Sequence, residues 1–221
     1  MEREVLDSIA AVPQPAATIA YAYVKERLLD GSYPGGTLLS ENEIAKRLGI
    51  SRTPVRQAML RLAGESLVEL YPRRGALVLP PRASEPDDVL EARLLVETHC
   101  ARRAARYGHA LAQALNESID AQEASLLDGG AGFLAADREF HRRIVVANGN
   151  EILVAQYESL RDRQQRLLAR TVTRDPDSIR QFIAEHRAIA DAIARSDGEA
   201  AAVLTDAHLR SASARAVRAH I

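Results

Sequence analysis

Tryptophan is absent, cysteine occurs once, at Cys100, and only two of the 29 basic residues are lysine. A lone cysteine permits neither an internal disulfide nor a cysteine-rich zinc site, so any metal must be held by histidine and carboxylates. No apolar run approaches the roughly 18–20 residues that cross a bilayer, and the N-terminal MEREVLDSIA carries acids where a secretory signal has a basic segment. The expectation is therefore a cytoplasmic location with no membrane partner. Aromatics make up only 4% of the 221 residues, yet 47% are hydrophobic and 27% charged, which excludes a disordered chain and describes a globular one. The formal net charge of −1 at first argues against nucleic acid.

That total hides an uneven distribution. From Lys46 to Gly75 there are seven basic side chains against two acids, Glu65 and Glu69, whereas residues 81–221 hold 19 basic and 21 acidic residues. The composition changes near Pro80-Pro81-Arg82-Ala83-Ser84-Glu85-Pro86, where three prolines in seven residues interrupt strand or helix. The expected organisation is a DNA-binding domain over 10–80, a linker over 81–85 and a helical domain over 86–221.

In the first part, Ala17 to Leu29 has the spacing of a helix, stopped by Asp30-Gly31 and Pro34-Gly35-Gly36. A short apolar piece, Thr37-Leu38-Leu39, follows it. Ser40-Glu41-Asn42-Glu43 fits a capping box for a second helix, which ends at Gly49. Ser51 then caps a third helix that tolerates Pro54 in its first turn. Val68–Tyr71 and Ala76–Leu79 flank Pro72-Arg73-Arg74-Gly75 and predict a hairpin with a basic tip. Helix, tight turn, helix and hairpin is the winged helix-turn-helix arrangement, whose recognition helix presents donors near its N-terminus to the major groove. Arg52 and Arg56 share one face of that helix and suit bidentate bonding to guanine, while Val55, Met59 and Leu62 form another face for packing. Ser51 and Thr53 suit phosphate at the helix N-terminus, and Arg73 and Arg74 suit the backbone or the minor groove.

After the prolines the pattern predicts six helices, over 86–107, 109–128, 131–147, 151–172, 176–195 and 198–219, joined by gaps short enough for an antiparallel bundle. Three of the six histidines fall on apolar faces: His141 beside Leu134, Asp137, Ile144 and Val145; His186 among Ile179, Phe182, Ile183, Ile189 and Ile193; His208 with Ala201, Leu204 and Ala212. A single inward histidine is usually a hydrogen-bonded core residue. Three of them with Asp137 one helical turn from His141 can supply one oxygen and three nitrogens to Zn²⁺, Ni²⁺ or Mn²⁺. Arg93 shares a stripe with Leu90, Leu94, Glu97 and Ala101, and two roles stay open for it, a clamp on a ligand carboxylate or a salt bridge with Glu97. Asn150 reads as a pocket residue or as an ordinary turn residue.

The stretch LLSENEIAKRLGISRTPVRQAMLRLAGESLVELYPRRGALVL resembles the DNA-binding domain of the GntR family of bacterial transcription regulators, SRTPVRQAMLRL being close to its most characteristic segment. The resemblance implies base-reading roles for Arg52 and Arg56, phosphate contacts for Ser51 and Thr53, and a minor-groove wing tip at Gly75. Asn42 stands where some members have a DNA-contacting arginine. Residues 86–219, through DREFH at Asp137–His141, EHRAIADAI from Glu185 and Asp206-Ala207-His208, resemble the FCD domain of the FadR-like branch, with the six helices of its VanR-type subgroup. That resemblance implies metal ligation by Asp137, His141, His186 and His208, and a place for Arg93 in an effector pocket. The expected protein is mostly α, a winged helix-turn-helix followed by an antiparallel helical bundle. It is a homodimeric repressor that binds an inverted-repeat operator and responds to a small carboxylate at a divalent transition metal. The alternative from another class is a metal-dependent enzyme of small organic acids joined to a DNA-binding module.

Overall fold

The computed structural model describes residues 14–130, 132–168 and 176–218. The chain divides into two compact units, Met1–Pro81 and Arg82–Ile221.

In the first unit, α1 (Ala16–Leu29) buries Ala20, Tyr21, Val24 and Leu28, close to the face that the spacing predicts. Strand β1 (Leu38–Leu39) leads into α2 (Glu41–Leu48), where the Ser40 hydroxyl accepts from the Glu43 amide at 3.4 Å and Gly49 closes the helix at φ +66°. Among the described residues only the Ser40 half of the capping box forms. Helix α3 (Arg52–Gly64) seats Val55, Ala58, Met59 and Leu62 in the core. Ser51 occupies its N-cap position in extended conformation, but the hydroxyl makes no capping bond, a correction to the expected cap.

The expected two-stranded hairpin is part of a three-stranded antiparallel sheet. Strands β2 (Val68–Tyr71) and β3 (Gly75–Val78) pair with Tyr71 opposite Gly75, and β1 adds to the other edge of β3 with Leu39 opposite Ala76. The apolar Leu38-Leu39 step is too short to read as a strand alone, and the edge of β3 is what makes it one. At the β2–β3 turn the Tyr71 carbonyl accepts from the Arg74 amide, and Arg73 takes φ +65°. Gly75 is required here by backbone crowding. Its φ is +114°, and a Cβ would stand 2.1 Å from the Leu39 carbonyl oxygen.

The second unit holds α4 (Glu85–Ala104), α5 (Gly108–Ser125), α6 (Phe133–Val146), α7 (Glu151–Leu168), α8 (Pro176–Ala194) and α9 (Gly198–Arg218). Among the described residues six α-helices are found where six are expected, with shifted ends. Pro86 lies in the first turn of α4, where amides have no helical partner, so the proline cluster admits a helix one residue before the expected start. Helices α4 and α5 each close in a short 3₁₀ turn, at 105–107 and 126–128. Gly129, Gly130 and Gly132, all at positive φ, delay α6 to Phe133. Predicted helix residues 131, 169–172 and 219, and residues 10–13 of the expected first domain, lie outside the described residues.

Helix α4 packs on α9 and α7, and α5 packs on α8 and α6. Leu115, Ile119, Phe140, Tyr157, Ile179, Ile189 and Ile193 fill the space between them. At about 1.5–3 kcal/mol for each large side chain, this burial is the main favourable contribution to folding, and it has to absorb the cost of the polar groups enclosed with it. Leu134 departs from the expected stripe. It is exposed on the first turn of α6, and Phe133 and Phe140 face inward beside His141.

Gly75→Ala is expected to destabilise the first unit by about 2 kcal/mol or more, because the side chain meets both a disfavoured φ and the Leu39 carbonyl. Chemical denaturation of the variant against wild type measures this, and a change below about 0.5 kcal/mol contradicts the crowding argument.

Candidate functional site

On the first unit, Arg52 and Arg56 are exposed on α3, opposite its buried face, and the Arg52 guanidinium lies 3.8 Å from Glu41 on α2. Asn42, Ser51 and Thr53 are exposed around the same α2–α3 junction, and Arg73 and Arg74 are exposed at the β2–β3 turn. Gly75 is half-buried against β1, so its conformation is explained by the sheet itself.

In the second unit three imidazoles from three helices converge. His141 (α6), His186 (α8) and His208 (α9) are buried, with their Nε2 atoms 3.2, 3.2 and 3.3 Å apart. The Asp137 Oδ1 is 3.8 Å from Nε2 of His141 and 3.6 Å from Nε2 of His186. One donor atom from each of these four residues lies within 4.8 Å of the other three. The predicted metal set is thus assembled in one place.

The opposite ring nitrogens show why the rings are aimed this way. Nδ1 of His141 is 2.8 Å from Glu97 Oε2 on α4, Nδ1 of His186 is 2.8 Å from Gln122 Oε1 on α5, and Nδ1 of His208 is 2.7 Å from Glu185 Oε2 on α8. Carboxylates and an amide oxygen only accept, so each Nδ1 carries the proton and each Nε2 presents a lone pair. Three lone pairs pointing at one another cannot hydrogen-bond. Burial lowers the His141 pKa despite Glu97, and lowers that of His186 well below the ordinary value, with His208 and His141 acting in the same direction. Extra protons are therefore a poor way to fill the gap. Three nitrogens and an oxygen at this spacing suit one transition-metal ion with metal–nitrogen bonds of about 2.0–2.1 Å. Cys100 is buried and free.

The outer carboxylates stay ionised through their own partners. Burial opposes charge on Asp137, but Arg161 of α7 at 2.5 Å holds its pKa far below the usual carboxylate range. Burial likewise opposes charge on Glu97, and Arg93 at 2.6 Å together with His141 overcomes it. Glu185 is partly buried and is lowered by His208 and Arg215, the latter at 2.8 Å. Phe140 stacks on His186 at 4.3 Å between ring centroids and closes the apolar side.

Of the two roles left open for Arg93 the structure shows the salt bridge, since the residue is buried and its Nε donates to Glu97. Asn150 is exposed, and its Oδ1 accepts from the amides of Ile152 and Leu153 at 3.0 and 3.2 Å, capping α7. Its carboxamide oxygen is therefore engaged in a turn. The sequence reading missed Glu97, Gln122, Glu185 and Arg161 as partners of the cluster. The signal for Gln122 and Arg161 was a polar residue at helical spacing from apolar ones, Leu115-Ile119-Gln122 and Val154-Tyr157-Arg161. That pattern does not say what the polar group faces.

Arg161→Ala leaves the Asp137 carboxylate buried without its cation, so a loss of about 3–5 kcal/mol is expected in metal-free protein. Denaturant titration followed by far-UV circular dichroism measures it, and a loss under about 1 kcal/mol contradicts the pairing.

Residues 16–78 match the bacterial regulatory proteins of the gntR family, and residues 88–211 match the FCD domain. An HTH-type transcriptional regulator in an unstable DNA locus of Streptomyces ambofaciens is 31% identical over 90% of this chain and 85% of its own length. The HTH-type transcriptional repressor RspR of Escherichia coli strain K12 is 28% identical over 93% and 91%. The solved structure of E. coli McbR/YncC, 20% identical, superposes with a TM-score of 0.80 over 94% of this chain and 99% of that one, which shows the shared fold. These relatives are regulators and not enzymes, which removes the enzymatic alternative. A winged helix-turn-helix with an exposed pair of arginines, joined to an FCD domain, places this chain in the GntR family of DNA-binding transcriptional regulators.

Proposed function

We propose that the protein is a metal-containing repressor that acts in the cytoplasm as a homodimer, binds an inverted-repeat operator and responds to a small organic carboxylate. The observation carrying this reading is the convergence of three lone-pair nitrogens and the Asp137 oxygen, each imidazole fixed from behind by an acceptor. Asp137, His141, His186 and His208 are the ligands for Zn²⁺, Ni²⁺ or Mn²⁺. When bound, the divalent ion supplies positive charge and open coordination positions for a carboxylate. The buried charges already cancel in pairs, Arg93 with Glu97 and Arg161 with Asp137, so the added positive charge favours an anionic ligand. Arg93 is the effector-pocket residue in this reading, and Asn150 is left as a helix cap.

In the first unit, Arg52 and Arg56 read guanine edges in the major groove, with Asn42 beside them on α2. Ser51, Thr53 and the α3 N-terminus hold phosphate, an assignment favoured by a Ser51 hydroxyl not engaged in capping. Arg73 and Arg74 reach the backbone or minor groove, and Gly75 sets the shape of the wing. Two copies on an inverted repeat follow from reading two half-sites with one recognition helix each. RspR is named a repressor, which supports the same sign of regulation here.

Arg52→Ala is expected to weaken binding to a duplex selected by the wild-type protein by about 10–100-fold, and to random duplex by only a few-fold. Equal losses on both would remove its base-reading role. The double variant His186→Ala with His208→Ala is expected to bring the metal content of purified protein from near-stoichiometric to background, as measured by elemental analysis. Retained metal would mean that the ligands lie elsewhere.

A further inference from the structure

The first helix of the second unit begins at a buried charge that the metal site does not use. The Glu85 carboxylate is only 4% exposed and is gripped by two arginines of α7, Arg166 at 2.7 Å and Arg163 at 3.2 Å, while the Arg82 amide donates to its other oxygen at 3.2 Å. Arg166 is itself only 8% exposed. Pairing of this quality at a helix start fixes the first turn of α4 to α7, immediately after the division between the units at Pro81 and Arg82.

The same two helices reach the metal cluster. Helix α7 carries Arg161, about 7 Å along its axis from Arg166, on the Asp137 carboxylate. Helix α4 carries Glu97, about 18 Å along its axis from Glu85, on Nδ1 of His141. The buried pairs form a closed circuit: Glu85 to Arg166, along α7 to Arg161 and Asp137, across the cluster to His141, then Glu97 and back along α4. Tyr157 stiffens the α7 side, with its hydroxyl donating to the Arg138 carbonyl of α6 at 2.8 Å. A change in how firmly Asp137 and His141 are held therefore has two rigid routes to one carboxylate.

We propose that Glu85, gripped by Arg163 and Arg166, is the output point of the metal centre, and that α7 transmits to it the state of Asp137 through Arg161. This rests on the metal reading above and deepens it by naming the element through which that site is coupled to the start of α4. A coupling claim needs a two-state element biased from both ends, and the proposal gives that role to the first turn of α4.

Hydrogen exchange on the full-length protein tests this, with Zn²⁺ alone as the probe, added to metal-stripped wild type, Glu85→Gln and Arg166→Gln. Zinc is expected to slow exchange at residues 82–90 of wild type by about fivefold or more, alongside slowing around His186 and His208. In both variants zinc content and the slowing around the histidines are expected to persist, while the slowing at 82–90 falls below about twofold. Far-UV circular dichroism checks that the variants are folded, and if one fails to fold the other carries the comparison. If neither folds, zinc-dependent slowing at 82–90 of the wild type decides alone. Full zinc occupancy in wild type without slowing at 82–90 overturns the coupling, as does wild-type slowing in a variant that binds zinc. Absence of zinc binding in wild type overturns the metal reading, and the coupling with it.

Discussion

The second unit is organised by the need to satisfy three buried imidazoles from behind. Each Nδ1 has an accepting oxygen, on Glu97, Gln122 or Glu185, and each acceptor comes from a position that helix packing brings to the ring. The ligands lie on α6, α8 and α9, the outer acceptors on α4, α5 and α8, and the cation that steadies Asp137 on α7. All six helices therefore contribute to one polar knot inside an apolar core. Enclosing these groups is costly unless they are paired, and the acceptors and cations around the rings offset that cost.

Charge balance follows from the same constraint. Arg93 sits against Glu97 and Arg161 against Asp137, so the formal charges of these four groups around the cluster cancel. A neutral imidazole with its proton held on Nδ1 is the form that offers a lone pair, so the pKa effects of burial and the orientation of the rings act together. The first unit obeys a different balance. Its arginines on α3 and at the β2–β3 turn are kept in solvent, where their charge costs nothing to maintain and attracts a polyanion.

Much of this was legible in the amino-acid pattern, for identifiable reasons. Helix faces in both units follow from 3.6-residue spacing, as with Val55-Met59-Leu62 and Ile179-Ile183-His186, and helix ends follow from Gly49, Gly129 and Pro86. Four metal-type side chains stood out because an Asp and three His on apolar stripes are expensive without a shared purpose. Strand β1 was not legible, since two leucines become a strand only through the edge of β3. Leu134 shares helical spacing with Asp137 and His141, yet on the first turn of α6 it is exposed, because spacing does not show which part of a stripe a neighbouring helix covers. The Ser51 cap failed because residue type marks a cap position without ensuring that the hydroxyl turns toward the helix.

Sequence alone determined the division into a basic reading unit and a helical unit, the helices themselves and the donor types available to a metal. Those properties depend on local spacing and composition, which a linear chain displays. Only the tertiary structure decided which nitrogen of each histidine faces inward, that Gly75 answers to the Leu39 carbonyl, and that Glu97, Gln122, Glu185 and Arg161 stand behind the ligands. These depend on atoms from helices far apart in the chain arriving within 3 Å of one another, and no spacing rule along one helix can specify that meeting.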